Sequence, residues 1–139
     1  MAVVVPNTSP ADLLGRFRGT IFDAAHGYPE VIMFQVRDAE GGEWWFSTFY
    51  AEYAPRDPEV LLGKSIIDTD LDRSGKLTIG FTDGLHFVVD PIPLQPDEPD
   101  DDLENWHLFT PDGLVLNYGP EGRWEIKPCR YPGRAVARP

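Results

Sequence analysis

A chain of 139 residues, 42% of them hydrophobic, has material for one core and not two. Its formal charge of −11 is uneven: residues 1–122 hold 22 acids against 7 bases, a net of −15, while residues 123–139 are net +4. That field argues against nucleic acid and anionic membrane as partners and favours a basic protein, while the single cysteine, Cys129, excludes an intramolecular disulfide and points to a reducing compartment.

Residues Met1 to Pro6 carry no basic segment and too short an apolar run for a secretory signal. No stretch approaches the roughly 18 apolar residues that cross a bilayer. A cytoplasmic protein with no membrane partner is the expectation. Ser9-Pro10-Ala11-Asp12-Leu13-Leu14-Gly15-Arg16 then reads as a capped helical turn. The serine accepts a bond from a free helical N–H, the proline fits the first helical position, and the glycine ends the turn. The same arrangement returns at Asp57-Pro58-Glu59-Val60-Leu61-Leu62-Gly63-Lys64.

Gly27 and Gly75 keep the same distance from Gly15 and Gly63, and each precedes an apolar run, Val31 to Phe34 or Leu77 to Phe81. Each run reaches an acidic glycine turn, Asp38 to Gly42 or Asp83-Gly84, and a closing strand, Glu43 to Tyr50 or Leu85 to Asp90. The pattern predicts two meander-like units, at about 9–56 and 57–90, as an internal duplication. In the second unit Lys64 to Leu71 reads as a strand, Asp72 to Gly75 as a turn and Lys76 to Phe81 as its partner. Asp83-Gly84 between alternating β-branched residues is a tight-hairpin signal, which predicts a positive φ at Gly84.

Residues 91–104 contain Pro91, Pro93, Pro96 and Pro99 with Asp97, Glu98, Asp100, Asp101, Asp102 and Glu104, which leaves little to bury and predicts a surface loop. A C-terminal hairpin region follows over 104–127. Trp106 to Phe109 and Leu114 to Tyr118 flank the turn Thr110-Pro111-Asp112-Gly113, and Gly119 to Gly122 turns into Arg123 to Ile126. Residues 128–139 are a Pro- and Arg-rich tail. No strand–long helix–strand rhythm occurs. The expected fold is therefore all-β and mainly antiparallel: a single domain over 1–127, its meanders curling into a barrel or sandwich with one or two short helical turns.

Catalytic constellations are not legible. Asp68, Asp70 and Asp72 alternate and share a strand face, but Arg73 and Ile79 stand where a calcium loop needs glycine and glutamate. His26, His86 and His107 lack zinc-ligand spacing, and no nucleophile elbow, phosphate loop or dinucleotide fingerprint occurs. No metal or cofactor is expected, and the balance leans away from an enzyme. Trp44, Trp45 and Trp106 are either core or an aromatic interface, since tryptophan and tyrosine dominate binding energy at contacts.

Asp70 to Ile79, Phe81 to Gly84, Asn105 to Leu108, Thr110 to Leu114 and Trp124 carry a likeness. Over Gly63 to Ile126 the chain resembles small acidic actinobacterial β-rich proteins of unknown function, with a W-x-L-x-x-P-D-G turn and a late strand containing tryptophan. The resemblance implies a β-rich fold and transfers no catalytic residue; some such proteins resemble immunity proteins. The functional expectation is a non-enzymatic acidic binding protein, an immunity- or antitoxin-like inhibitor of a basic partner. Its binding residues would be Asp97, Glu98, Asp100, Asp101, Asp102 and Glu104 with Trp44, Trp45 and Trp106. A structural or regulatory β module, and a small-molecule-binding protein or enzyme with an aromatic-lined cavity, are the alternatives. Oligomeric state stays open.

Overall fold

The computed structural model describes residues 8–27, 32–48, 51–53, 57–91 and 105–129. Helix α1, Pro10–Phe17, begins where expected: Ser9 Oγ accepts from the Asp12 N–H at 3.2 Å and Asp12 returns a bond to the Ser9 N–H at 3.0 Å. It buries Pro10, Leu13, Leu14 and Phe17. The meander that follows comprises β1 (Ile21–Gly27), β2 (Ile32–Arg37) and β3 (Glu43–Thr48). A short strand not anticipated from sequence, β4 (Ala51–Tyr53), comes next.

The second capped turn, η1 (Pro58–Leu61), is a 3₁₀ turn with Asp57 as its cap. It leads into a second meander of β5 (Ile66–Leu71), β6 (Leu77–Phe81) and β7 (His86–Val89). Strands β8 (Trp106–Phe109), β9 (Leu114–Tyr118) and β10 (Trp124–Pro128) complete the chain, so the final strand reaches into the segment expected to be tail. Neighbours run β1-β2-β3-β8-β9-β10 in one sheet and β4-β7-β6-β5 in the other, and every ladder is antiparallel. The sheets do not close into a barrel; they share one core.

Alternation explains that core. Ile32, Phe34 and Val36 of β2 face Trp44 and Phe46 of β3 on one side, and Leu77, Ile79 and Phe81 of β6 with Phe87 and Val89 of β7 on the other. Phe34 is central: its ring centre lies 5.3 Å from Phe22, 5.2 Å from Phe46 and 5.1 Å from Phe87. The sheets meet at a seam where Ile21 bridges Ser65. There the Gly19 N–H donates to Ile66 O at 2.7 Å, the Ile66 N–H to Thr20 O at 2.8 Å, and the Phe22 N–H to Lys64 O at 2.9 Å. Beyond the seam α1 flanks β5, and Thr69 Oγ1 donates to Leu14 O at 3.3 Å.

Both meanders carry a bulge beside this seam. Phe22 and Ala24 pair with the consecutive residues Val36 and Gln35, which extrudes Asp23. Ile66 and Asp68 pair with Phe81 and Gly80, which extrudes Ile67. At the far edge of the larger sheet, the Cys129 N–H reaches Gly113 O and the Gly119 N–H reaches Arg123 O. Odd-numbered residues of β10 therefore bond β9, and Trp124, Ile126 and Pro128 turn their backbone outward. Proline has no N–H to offer there, which blunts the edge against strand addition.

Candidate functional site

The acidic face expected from the sequence is divided by the structure. Asp68 and Asp70 are exposed on β5, two residues apart and on the same side. Neither takes part in an ion pair among the described residues. Asp72 lies just past the strand and serves its own turn. Its carboxylate accepts from the Ser74 N–H and hydroxyl and from the Lys76 N–H. These bonds, the Ser74 hydroxyl first, hold its carboxyl below the ordinary aspartate range. The three carboxylates are thus two exposed charges and one turn staple. No group of three or more His, Cys, Asp or Glu among the described residues is placed to hold a metal ion.

Asp38 repeats the staple in the β2–β3 hairpin. It accepts from the backbone N–H of Gly42 at 2.8 Å and of Glu40 at 3.0 Å, and from Trp44 Nε1 at 3.2 Å. The Gly42 bond is the main cause of its lowered pKa. Asp112, in the β8–β9 hairpin, is lowered first by the Thr110 hydroxyl, with Arg16 adding to the effect. These two hairpins and the end of α1 border an open pocket of about 590 Å³. Arg16 spans it, paired with Asp112 at 3.3 Å and seated 5.2 Å over the Trp44 ring. Arg18 and Pro111 line the rest with hairpin backbone. Trp44 is the aromatic residue of its lining.

Trp44, Trp45 and Trp106 are 1%, 2% and 0% exposed. Trp44 and Trp106 belong to the core. Trp45 points to the opposite face, beside Gln35 and Phe109 of the neighbouring strands and 4.6 Å from the His26 ring. None of the three offers a surface to a partner, because the outer face of β3 is covered as well as its inner one. The six acids from Asp97 to Glu104 lie outside the described residues.

The same outer face carries a polar row that sequence reading missed. His107 Nδ1 is 2.6 Å from Asn117 Oδ1, the Asn117 amide donates to Glu125 at 3.1 Å, and Ser47 stands opposite His107 in the ladder. Period-two spacing within each strand is visible in sequence, but the β3–β8 pairing that joins the strands is not. A nucleophile must reach its substrate, and Ser47 is 7% exposed. Tyr118 is buried between this sheet and the core, and loss of hydration raises its phenol pKa. No helix among the described residues is long and apolar enough to cross a membrane. No family model, curated protein or solved structure matches the chain.

Proposed function

We propose that this chain is a non-enzymatic acidic binding protein that caps a basic partner protein, in the manner of an immunity or antitoxin protein. The observation that carries the reading is the pair Asp68 and Asp70. They are exposed, aligned on one strand and unneutralised, on a body whose first 122 residues are net −15. Charges needed for turns are engaged locally, as at Asp38 and Asp72; these two are not. Unpaired like charges on one face repel one another and add nothing to folding, and cations on a partner would relieve that repulsion. Opposite charge on a partner would raise the association rate and orient the encounter.

A basic protein captured from the source cell is the first test. Asp68→Asn with Asp70→Asn should leave the melting temperature unchanged and slow association with the captured partner. An unchanged association rate would reject the reading.

A further inference from the structure

A hollow of about 320 Å³ opens where β1 leaves the seam. Strand β1 is the outermost of the larger sheet. At Phe22 the chain leaving η1 occupies its open side: the Phe22 N–H donates to Lys64 O at 2.9 Å, and Phe22 O accepts from the Gly63 N–H at 3.1 Å. No such bond continues along residues 24–27 among the described residues. The gap is lined by Asp23, Ala24 and Ala25 on one side and by Pro58, Glu59 and Leu62 on the other. Phe22 also borders it, but at 2% exposure its ring belongs to the core.

Two acids and no cation stand in that lining. The β1 bulge extrudes Asp23. Its Oδ2 accepts from Gln35 and Arg37, while its Oδ1 has no partner among the described residues. Glu59 is exposed and its carboxylate takes part in no ion pair among them. The cations nearby are already engaged or directed elsewhere. Arg37 is shared between Asp23 at 2.9 Å and Glu43 at 3.4 Å, so that trio keeps a net charge of −1. Lys64 is engaged by Asp83, and Arg18 lines the pocket beside Arg16. The His26 ring lies against Trp45, with Nε2 3.3 Å from Gln35 Oε1. The rest of the lining is alkyl, and Leu62 is left 52% exposed. An alkyl-walled hollow with carboxylates on two separate elements suits a hydrocarbon stem that ends in a point charge. A lysine side chain has that form, burying its stem while its ammonium stays near water. A guanidinium gains most from an aromatic face, which the hollow does not offer.

From this lining we infer that the hollow between β1 and η1 seats one lysine side chain of the basic partner, its stem against Ala24, Ala25 and Leu62 and its ammonium toward Asp23 and Glu59. The inference rests on the acidic-binder reading and adds to it a contact site and the residue type that fills it. Charge at Asp68 and Asp70 acts on the rate of encounter, and the seated lysine acts on how long the complex lasts.

The test titrates the full chain, followed by amide NMR shifts, with three monocations: a capped pentapeptide with one central lysine, the same peptide with arginine, and n-pentylamine. The lysine peptide should shift the amides of Ala24, Ala25, Glu59 and Leu62, with the weak affinity that so few buried atoms allow. It should bind at least about threefold more tightly than the arginine peptide, for want of an aromatic face. Pentylamine should bind at the same place and no more tightly than the lysine peptide. Glu59→Gln and Leu62→Ser change exposed positions, so each should leave the melting temperature as it is and weaken the lysine peptide about threefold, by loss of a partly exposed charge pair or of stem burial. Equal affinity for lysine and arginine, or no shift at the hollow with any probe, would overturn the inference. Pentylamine binding more tightly than the peptide would assign the hollow to a free amine and overturn it as well. Shifts centred on Asp68 and Asp70 that the two hollow variants leave unchanged would overturn the hollow and leave the acidic-binder reading standing. That reading fails separately, if the captured partner associates as fast with Asp68→Asn and Asp70→Asn as with the unchanged chain.

Discussion

Ile67 occupies in β5 the bulge position that Asp23 occupies in β1: each is the extra residue between two paired neighbours, on either side of the Ile21–Ser65 bridge. The consequences differ. Asp23 is turned toward β2, where it accepts from Gln35 at 2.9 Å and from Arg37 at 2.9 Å. Ile67 finds no such cover and stays 59% exposed. One bulge stitches its sheet together; the other presents an apolar side chain to solvent. Ile67→Ser should therefore shift the denaturation midpoint hardly at all, within about 0.5 kcal/mol for an exposed site. A loss of several kcal/mol would mean that Ile67 is packed.

Phe34 provides the contrast. It touches the rings of Phe22, Phe46, Phe81 and Phe87 from both sheets. Phe34→Ala should cost about 3–5 kcal/mol in urea or guanidinium unfolding, by lost burial and the cavity left behind. An effect below about 1 kcal/mol would contradict a single core shared by the two sheets.

The β6–β7 hairpin turns through Asp83 at φ 67° and Gly84 at φ 78°, the two consecutive positive values of a type I′ turn. A Cβ on Gly84 would meet nothing within 4 Å, so the penalty for a side chain there is backbone strain alone. Gly84→Val should destabilise by about 1–3 kcal/mol, and Gly84→Asn by much less, because asparagine tolerates this conformation. Equal midpoints for the two variants would contradict the turn.

Acid should weaken the fold at three hairpins. Asp38, Asp72 and Asp112 are held below the ordinary aspartate value by the Gly42 N–H, the Ser74 hydroxyl and the Thr110 hydroxyl respectively. A folded pKa below the unfolded one gives stability that is complete above about pH 4, the unfolded value, and is lost as pH falls through the folded values. Melting temperature should thus drop between about pH 4 and pH 2, and asparagine at all three positions should flatten the drop. A wild-type melt independent of pH in that window would contradict the staples.

The hairpin turns were legible in sequence because their chemistry is local: Asp-Gly, Pro-Asp-Gly and the caps at Ser9 and Asp57 each act within a few residues. The relation between the two meanders was legible only in outline. Aligning Gly15 with Gly63 sets the units 48 residues apart, whereas the bulge residues Asp23 and Ile67 are 44 apart. The first unit spends eight residues on an α-helix where the second spends four on a 3₁₀ turn, and propensity does not settle how far a capped turn extends. Asp68 thus corresponds to Ala24 rather than to Thr20. Trp45 shows the other limit. Alternation places it opposite Trp44, but nothing in the strand says that His26, Gln35 and Phe109 gather around it. The exposure of Ile67 was hidden for the same reason, since neither glycine nor proline marks its bulge.

The central claim is that acidic charge recruits a basic partner, and association kinetics test it most directly. With a partner captured from the source cell, the association rate should fall steeply from low to physiological salt, where charges are screened over about 8 Å, while dissociation changes little. Asparagine at Asp68 and Asp70, or at Asp100, Asp101 and Asp102, should slow association at low salt, by about tenfold for the triple change. An association rate indifferent to salt and to both sets of substitutions would contradict the account and leave the acidity to serve solubility alone.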